Sequence, residues 1–239
     1  MNNKLLTNST RTIGVSLLVL VSTVLTGCMS IHTAARQGKL KEVRRQLAWG
    51  VNVNERHFFT RDTLLIEAAA NGHLDVVKLL IENGADVNLK GEAWYGPLHA
   101  AAYKGHIEVV KILLENGADV NIFHHNKPLH NAAMKGHIEV AQILLANGAD
   151  INAKGTGDAA PLHIAVSNNQ LAMAKWLLSK GANVNPRAAY GCTPLHSAAR
   201  RSNVEIGKIL LEHGADTTLE CNGRRVSDEF LRAIKQRSK

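Results

Sequence analysis

The chain has few aromatic residues and few cysteines for its length of 239 residues: it contains four Phe, three Trp, three Tyr and three Cys. A core built mainly from Ala and Leu is therefore expected. The sequence also lacks a glycine-rich phosphate-binding loop, a Gly-x-Ser-x-Gly nucleophile turn and a His-Glu-x-x-His zinc motif. Because none of these catalytic arrangements is present, we predict a protein that is not an enzyme and that binds no cofactor and no metal.

A long transmembrane run is missing as well. The most apolar segment, from Ile13 to Leu25, would measure roughly 20 Å as a helix, which is shorter than the ~30 Å hydrocarbon core of a bilayer. Lys4 and Arg11 precede it, and a basic region before a short apolar region is typical of an export signal that is removed. We therefore predict a signal peptide in residues 1–27.

The end of this signal resembles the bacterial lipobox, because Leu25-Thr26-Gly27-Cys28 places a small residue directly before the cysteine. The resemblance implies that Cys28 becomes the lipidated first residue of the mature protein, with residues 28–30 as a short tether. Met29, and not Asp, follows the cysteine, which implies an outer-membrane location facing the periplasm. Two alternatives stay open: an uncleaved anchor with an incidental cysteine, and a cytosolic form made from an internal translation start at Met29.

What the chain has in abundance is an internal repeat. A thirteen-residue phrase occurs with little change at Gly72–Gly84, Gly105–Gly117 and Gly136–Gly148. Its closing glycine recurs every 31 to 34 residues, at Gly50, Gly84, Gly117, Gly148, Gly181 and Gly214. A period of this length predicts a stack of similar helical units, each of which buries its apolar face against its neighbours.

The phrases within each period resemble the ankyrin repeat. A unit opens with a phrase such as Thr193-Pro-Leu-His196, continues through Gly-His, and closes with Gly-Ala-Asp-Val-Asn. The resemblance implies an all-α repeat solenoid, a stack of helix-turn-helix units with β-hairpin fingers. We assign a capping half-repeat to residues 221–239 and six repeats to residues 31–220, at about 31–61, 62–94, 95–126, 127–158, 159–191 and 192–220.

The aromatic residues indicate which surface binds a partner. Large exposed rings contribute little to folding, whereas Trp and Tyr are enriched where interfaces concentrate their binding energy. Six of the ten lie in the predicted hairpins, beside two histidines: Phe58, Phe59, Trp94, Tyr95, Phe123 and Tyr190, with His124 and His125. The concave side of the inner helices adds Tyr103, Lys104, Met134, Lys135, Arg200 and Arg201. We predict a docking face for a folded, partly acidic protein; the alternative is that some rings pack against neighbouring hairpins.

The net charge of +8 is concentrated at the two ends of the array. Residues 31–61 carry seven Lys or Arg against two Glu, residues 62–220 are slightly acidic, and residues 221–239 are basic again. The first of these segments is predicted to lie against anionic lipid headgroups, or else to form the polar cap that a repeat array needs. Its membrane-proximal residues are Lys39, Lys41, Arg44, Arg45 and Trp49. Nucleic acid is not an expected partner, because it would require a continuous basic stripe.

The histidines and the remaining cysteines recur with the repeat. One histidine per repeat makes a ladder and not a metal-ligand cluster, and these side chains are expected to hydrogen-bond the hairpin backbone. They are His99, His130, His163 and His196. Cys192 and Cys221 fall in consecutive hairpins, so they could form a disulfide in an oxidising compartment, but their geometry cannot be read from the sequence.

These features together predict a protein-binding array held at the cell envelope, acting as a monomer or in a 1:1 complex. The fold specifies the scaffold and leaves the partner open. The resemblance to exported ankyrin-repeat lipoproteins implies an immunity protein that neutralises a toxin, such as a type VI secretion phospholipase delivered into the periplasm. The alternative is a periplasmic scaffold that assists an envelope or oxidative-stress enzyme.

Overall fold

The computed structural model describes residues 29–91, 95–123 and 125–236. Within them, thirteen helices form an ankyrin-repeat solenoid, which confirms the predicted fold class. Cys28, Trp94 and His124, which are predicted functional residues, lie outside the described residues. The helices are α1 (Ile31–Arg36), α2 (Leu40–Ala48), α3 (Leu64–Ala70), α4 (Leu74–Glu82), α5 (Pro97–Lys104), α6 (Ile107–Glu115), α7 (Pro128–Lys135), α8 (Ile138–Ala146), α9 (Pro161–Ser167), α10 (Leu171–Ser179), α11 (Pro194–Arg200), α12 (Val204–Glu212) and α13 (Asp228–Gln236).

The helices are arranged in two layers. The odd-numbered helices from α1 to α11 form the inner layer and the even-numbered helices from α2 to α12 form the outer layer. Each inner helix packs on the inner helix of the next repeat, and most outer helices do the same in their layer. The final helix, α13, packs against α12. Among the described residues, none of the helices combines the length and the apolar character needed to cross a bilayer.

The boundaries of the inner helices follow from local backbone chemistry. Pro97 and Pro128 occupy the first turn of α5 and α7, where the missing backbone N–H costs no hydrogen bond. The same helices end at Gly105 and Gly136, whose φ angles of +79° and +76° place them in the left-handed region that favours glycine. The inner helices are therefore short and end at a defined residue.

The core is aliphatic and built from small residues where the inner helices meet. Ala68, Ala69, Ala101 and Ala102 are fully buried, and their methyl groups let neighbouring inner helices approach closely. Phe230, on the capping helix α13, is the one aromatic residue among the buried core side chains of the described residues. The expectation of a core with few rings is confirmed, because close helix packing leaves space for methyl and branched side chains.

An asparagine ladder joins the outer turns of successive repeats. The side chain of Asn88 donates to the carbonyl of Gly117 (3.0 Å) and accepts from the backbone N–H of Asp119 (2.9 Å). Asn185 makes the same two contacts with Gly214 and Asp216, at 3.1 and 2.9 Å. Each asparagine thus satisfies one backbone donor and one acceptor of the following repeat, which explains why the closing phrase ends in Asn.

A second ladder joins the turns between inner and outer helices. The Nε2 of His106 donates to the carbonyl of Ala70 (3.2 Å), and the Nε2 of His137 donates to that of Tyr103 (3.2 Å). Each ring lies over the glycine of the preceding repeat: a Cβ atom on Gly105 would approach the His137 ring to 2.7 Å. Glycine is therefore required at this turn both for its positive φ and for the space that the next histidine occupies.

The last two repeats vary this pair in a coupled way. Asn169 stands where earlier repeats have glycine and keeps the positive φ, at +58°. The residue that meets it from the next repeat is Asn203, which is shorter than histidine and hydrogen-bonds to the side chain of Asn169. A side chain is tolerated at the turn because the neighbour has been shortened.

The fingers between repeats are tight turns with little backbone pairing. In the described residues, β-bridges occur only as the isolated pairs Arg56 with Thr63 and Cys221 with Arg224. The C-terminal cap depends on another glycine, because a Cβ on Gly207 would come within 2.7 Å of the Phe230 ring and 2.8 Å of Ile234. The absence of a side chain at Gly207 lets α13 seal the last repeat.

Two glycine substitutions separate the two requirements at these turns. We expect Gly105→Ala to lower the free energy of unfolding by about 2–4 kcal/mol, because it combines a left-handed backbone penalty with overpacking against His137. Gly117→Ala should cost only about 1–2 kcal/mol. Its φ of +84° carries the same left-handed backbone penalty as that of Gly105, but among the described residues no atom lies within 4 Å of the added Cβ. Urea denaturation measures both.

The Asn169–Asn203 pair of the last two repeats suggests a second substitution that should restore part of the lost stability. Adding His137→Asn to Gly105→Ala should recover the overpacking part of the loss and leave the backbone part. Equal destabilisation by the two single alanine variants would contradict the packing role assigned to His137.

Candidate functional site

The ends of α5 and α7 bring an aromatic ring and two cations together on the concave side. The Nζ of Lys135 lies 4.5 Å from the centre of the Tyr103 ring, and the Nζ of Lys104 lies 5.9 Å from it. Both distances are within the range of cation–π attraction. Within the described residues, neither lysine takes part in an ion pair of 4.0 Å or less. We call Tyr103, Lys104 and Lys135 the tyrosine–lysine patch.

Tyr95 differs from the exposed fingertip that the sequence suggested. Its ring is half-buried, its hydroxyl donates to the carbonyl of His99 (3.1 Å), and the side chain of Asn131 donates to that hydroxyl (3.2 Å). Burial raises the pKa of the phenol above its usual range, so the hydroxyl stays protonated at neutral pH. The prediction of a free finger ring at Tyr95 is wrong, because a buried amide and a backbone carbonyl hold the phenol against the inner helices.

A groove adjoins the tyrosine–lysine patch. It has a volume of about 460 Å³ and runs across the inner helices α3 and α5. Its walls are formed by Thr60, Asp62, Ile66, Ala70, Tyr95, Ala100, Tyr103 and Lys104. Partial burial raises the pKa of the Asp62 carboxyl from its usual value. The groove is thus mainly apolar, with an acidic group in one wall and Lys104 in another.

The concave side near the first repeats is less positive than the sequence suggests. Arg36 forms a two-pronged ion pair with Glu67, in which Nε and Nη2 donate to the two carboxylate oxygens at 2.6 and 2.7 Å. Glu67 is buried, and the hydrogen bonds that its carboxylate accepts from Arg36 raise the pKa of Arg36. The ion pair neutralises one positive charge of the basic segment 31–61. The sequence pattern did not predict this pair.

The predicted fingertip residues are spread over several repeats. Phe58 and Phe59 are 83% and 77% exposed and contact each other edge to face, with ring centres 5.0 Å apart. Phe123 is 55% exposed, and Tyr190 is 80% exposed at a positive φ of 60°. His125 is also exposed. These rings belong to three separate fingers, so they do not form one cluster with the tyrosine–lysine patch.

Of the remaining predicted concave residues, Met134 adjoins the tyrosine–lysine patch, and Arg200 and Arg201 do not. Met134 is half-buried beside Lys135, at the end of α7. Arg200 and Arg201 are exposed at the end of α11, two repeats further along, or roughly 20 Å away at the usual helix spacing. They line a separate surface pocket with Asn169 and Asn203. The structure therefore places the two arginines apart from the tyrosine–lysine patch.

The predicted membrane-proximal residues divide between two ends of the first repeat. The helices α1 and α2 are antiparallel, and the side chain of Gln46 donates to the carbonyl of Met29 at 2.8 Å. Arg45 and Trp49 lie at this end, where the guanidinium of Arg45 is 4.8 Å from the centre of the Trp49 ring. Arg44 is one residue away on α2. Lys39 and Lys41 lie at the opposite end of α2, roughly 10 Å further from Met29.

The cysteines of the last fingers are joined. Cys192 and Cys221 form a disulfide; their Cα atoms are 4.3 Å apart and the residues are 29 positions apart in the sequence. Closing a loop of this length contributes about 3–4 kcal/mol to stability in the chain-entropy description. The bond ties the finger before α11 to the finger before the capping helix α13.

Three of the four histidines of the opening phrases, His99, His130 and His163, bond a carbonyl of the next finger, as expected, whereas His196 contacts Thr193 of its own repeat through Nδ1. The Nε2 of His130 donates to the carbonyl of Ala159 (3.0 Å), while its Nδ1 accepts from the backbone N–H of Lys127 (3.3 Å). Both contacts require the neutral ring, and burial lowers the pKa of His130 and of His163. Across the residues that the structure covers, no group of three or more His, Cys, Asp or Glu is placed to hold a metal ion.

His32 is the residue that sequence reasoning missed. It occupies the position of these histidines in the first repeat and is buried, but among the described residues neither of its ring nitrogens has a hydrogen-bond partner. Its ring contacts that of His57 edge to face at 5.0 Å. Burial, followed by the repulsion from His57, lowers the pKa of His32 to about 4. The sequence signal was present, since His32 precedes the Ala34-Ala35 pair as His99 precedes Ala101-Ala102.

Acidification should weaken the first repeat through His32. Because the folded pKa of about 4 lies below the ordinary value of 6.5, the unfolded chain binds a proton first as the pH falls. The stabilising contribution is complete above the unfolded pKa and is lost as the pH falls from about 6.5 towards 4. Between about pH 7 and pH 5 we expect a loss of about 2 kcal/mol from this side chain.

The matched variant is His32→Ile, because Ile66 occupies the equivalent position in the second repeat. This variant should show a shallower dependence of the urea midpoint on pH than the wild type. An unchanged slope in His32→Ile would contradict the assignment.

Comparisons with known proteins agree with this architecture. The family model described as Ankyrin repeats (3 copies) matches residues 14–91, 31–124, 91–155 and 129–221. The crystal structure of the human ASB11 ankyrin repeat domain superposes with a TM-score of 0.79 and 34% identity, covering 87% of this chain and 97% of that chain.

Curated relatives match a short part of the chain. Protein phosphatase 1 regulatory subunit 12A of Mus musculus and that of Rattus norvegicus are each 44% identical over 63 residues, which is 26% of this chain. The matched stretch is 6% of the length of each relative. The similarity therefore covers a small part of these much longer proteins.

Proposed function

The chain belongs to the ankyrin-repeat family, and we propose that it is a protein-binding array which acts at the cell envelope by occupying a toxic enzyme and neutralising it. Ankyrin-repeat domains typically mediate protein interactions, and the similarity to a regulatory subunit of a phosphatase supports an enzyme as the partner. The tyrosine–lysine patch is the single observation that carries the proposal. The patch presents one ring and two lysine cations, and within the described residues neither lysine takes part in an ion pair.

The chemistry of the patch selects for an acidic partner segment. A carboxylate can pair with Lys104 and Lys135 while an apolar side chain contacts Tyr103 or enters the adjoining groove. Pairing with a carboxylate offsets the cost of removing the lysines from water, and electrostatic attraction accelerates encounter. The partner we propose is therefore a folded protein with an acidic surface loop that inserts a side chain into the groove.

Placement at the membrane would suit an immunity role. We propose lipidation of Cys28 and display of the array on the periplasmic side of the outer membrane, where a type VI secretion phospholipase would act. A tether raises the local concentration of the array at that surface. The second candidate, assistance of an envelope enzyme, is favoured by the phosphatase regulatory subunit, whose name describes regulation and not inhibition.

Charge reversal tests the binding surface. The double variant Lys104→Glu/Lys135→Glu should lower recovery of the partner from an envelope extract by at least about tenfold, since each new carboxylate repels an acidic loop. The control is Lys78→Glu/Lys175→Glu, which makes the same charge change at two exposed positions on the outer helices α4 and α10. Affinity capture with quantitative mass spectrometry measures both, and equal recovery from the two variants would refute the proposed surface.

The direction of regulation is tested on the recovered partner. If the array is an immunity protein, adding it in equimolar amount should abolish the activity of the captured enzyme, and cells lacking it should die when that enzyme is delivered to the periplasm. An increase in the activity of the enzyme would support the scaffold role in place of immunity.

A further inference from the structure

We propose that the finger end of the first repeat, formed by Arg45, Trp49, Phe58 and Phe59 beside Met29, is a docking surface for an anionic lipid bilayer. The proposal rests on the anchoring of the chain at Cys28, which is part of the proposed function. It assigns to lipid the exposed rings of Phe58 and Phe59, which the sequence pattern had grouped with the partner-binding residues.

The path of the chain brings this surface to the membrane. The hydrogen bond from Gln46 to the carbonyl of Met29 fixes the start of the array beside the end of α2, where Trp49 follows Ala48. Cys28 is the next residue towards the apolar run that ends at Leu25. One residue spans less than about 4 Å, so an anchor at Cys28 places Met29 and its neighbours at the level of the lipid headgroups.

A chain of ring contacts links the exposed phenylalanines to the same end. His32, in the first turn of α1, contacts His57 at 5.0 Å between ring centres, and His57 contacts Phe59 at 6.1 Å. Phe59 in turn contacts Phe58 at 5.0 Å. Because α1 begins two residues after Met29, the two phenylalanines belong to the finger that lies nearest the anchor.

The turn that carries the rings is formed before any ligand binds. The backbone N–H of Arg61 donates to the carbonyl of His57 (2.9 Å), that of His57 donates to the carbonyl of Asp62 (2.8 Å), and that of Thr60 donates to Nδ1 of His57 (3.3 Å). Phe58 and Phe59 are at the tip of this closed turn, exposed by 83% and 77%. No ordering of the loop is needed when the rings enter an apolar medium, which lowers the entropic cost of insertion.

The chemistry of the surface fits a lipid interface better than a protein. Aromatic rings are enriched at the level of the headgroups, and basic side chains near the surface are attracted to anionic lipids. Trp49 is 65% exposed and carries over its face the Arg45 guanidinium, which is also paired with Glu42 at 2.7 Å. The ring can lie among the glycerol groups, and a lipid phosphate would share the cation with Glu42. The basic side chains at this end of α2 are Arg44 and Arg45, because Lys39 and Lys41 lie at its opposite end and Arg36 is paired with Glu67.

This contact would set the orientation of the array. Two attachments, the lipid at Cys28 and the aromatic finger, prevent free rotation about the short tether. The tyrosine–lysine patch, on the third and fourth repeats, then projects away from the bilayer towards a partner that approaches through the periplasm.

A labelled cysteine measures the depth of the finger in the membrane. The full-length lipidated protein carrying Phe59→Cys is labelled with an environment-sensitive fluorophore and reconstituted into phosphatidylethanolamine–phosphatidylglycerol vesicles that contain spin-labelled quencher lipid. The matched control is Phe123→Cys, another exposed finger position two repeats away, and the native disulfide is kept by labelling without reductant. We expect at least about twofold stronger quenching at position 59 than at position 123, and weaker quenching at position 59 in phosphatidylcholine vesicles.

The outcomes separate this inference from the proposed function. Co-flotation of the protein with vesicles reports the anchor: if the protein does not float, the anchoring proposal fails and this inference fails with it. If it floats but the two labels are quenched equally, the lipid-docking surface alone is overturned. If the fluorescence of the label at position 59 changes when the captured partner binds, and does not change with lipid, Phe58 and Phe59 belong to the partner-binding face.

Discussion

The left-handed turn at the end of each inner helix is the constraint on which the rest of the array depends. At Gly105 the backbone must turn with a positive φ, and the space left by the missing side chain is filled by His137 of the next repeat. That histidine donates to the carbonyl of Tyr103, so one glycine controls both the end of a helix and the contact with its neighbour. The spacing between repeats follows from this contact and from the buried alanine pairs.

Coupling of this kind acts only between neighbours. The asparagine ladder and the histidine ladder each satisfy backbone groups of the adjacent repeat, and the core side chains make their contacts in the same way. Stability is therefore distributed along the stack, and no single centre holds the fold. The ends need separate solutions, and at the C-terminal end this is the packing of Phe230 on Gly207.

Because the ladders use the repeated residues, the surface residues between them can differ from one repeat to the next. Tyr103 and the two lysines beside it occupy inner-helix positions that contribute little to the core, and the phenylalanines of the first finger contact chiefly each other and His57. The scaffold thus displays different side chains on different repeats along the stack. We assign the first finger to lipid and the third and fourth repeats to a protein partner, which divides attachment and recognition along one chain.

The sequence by itself determined the repeat, its period, the fold class and the structural role of the recurrent histidines, because each of these depends on local patterns that recur every 31 to 34 residues. It also identified the exposed phenylalanines by their position in the turns. Only the tertiary structure decided which polar groups meet across repeats. The ion pair of Arg36 with Glu67 joins residues 31 positions apart, and the bond from Asn131 to the Tyr95 hydroxyl joins residues 36 positions apart. His32 is buried, and within the described residues its ring nitrogens have no hydrogen-bond partner. The sequence period places such residues at equivalent positions in successive repeats, but their contacts are set by the close packing of one repeat on the next.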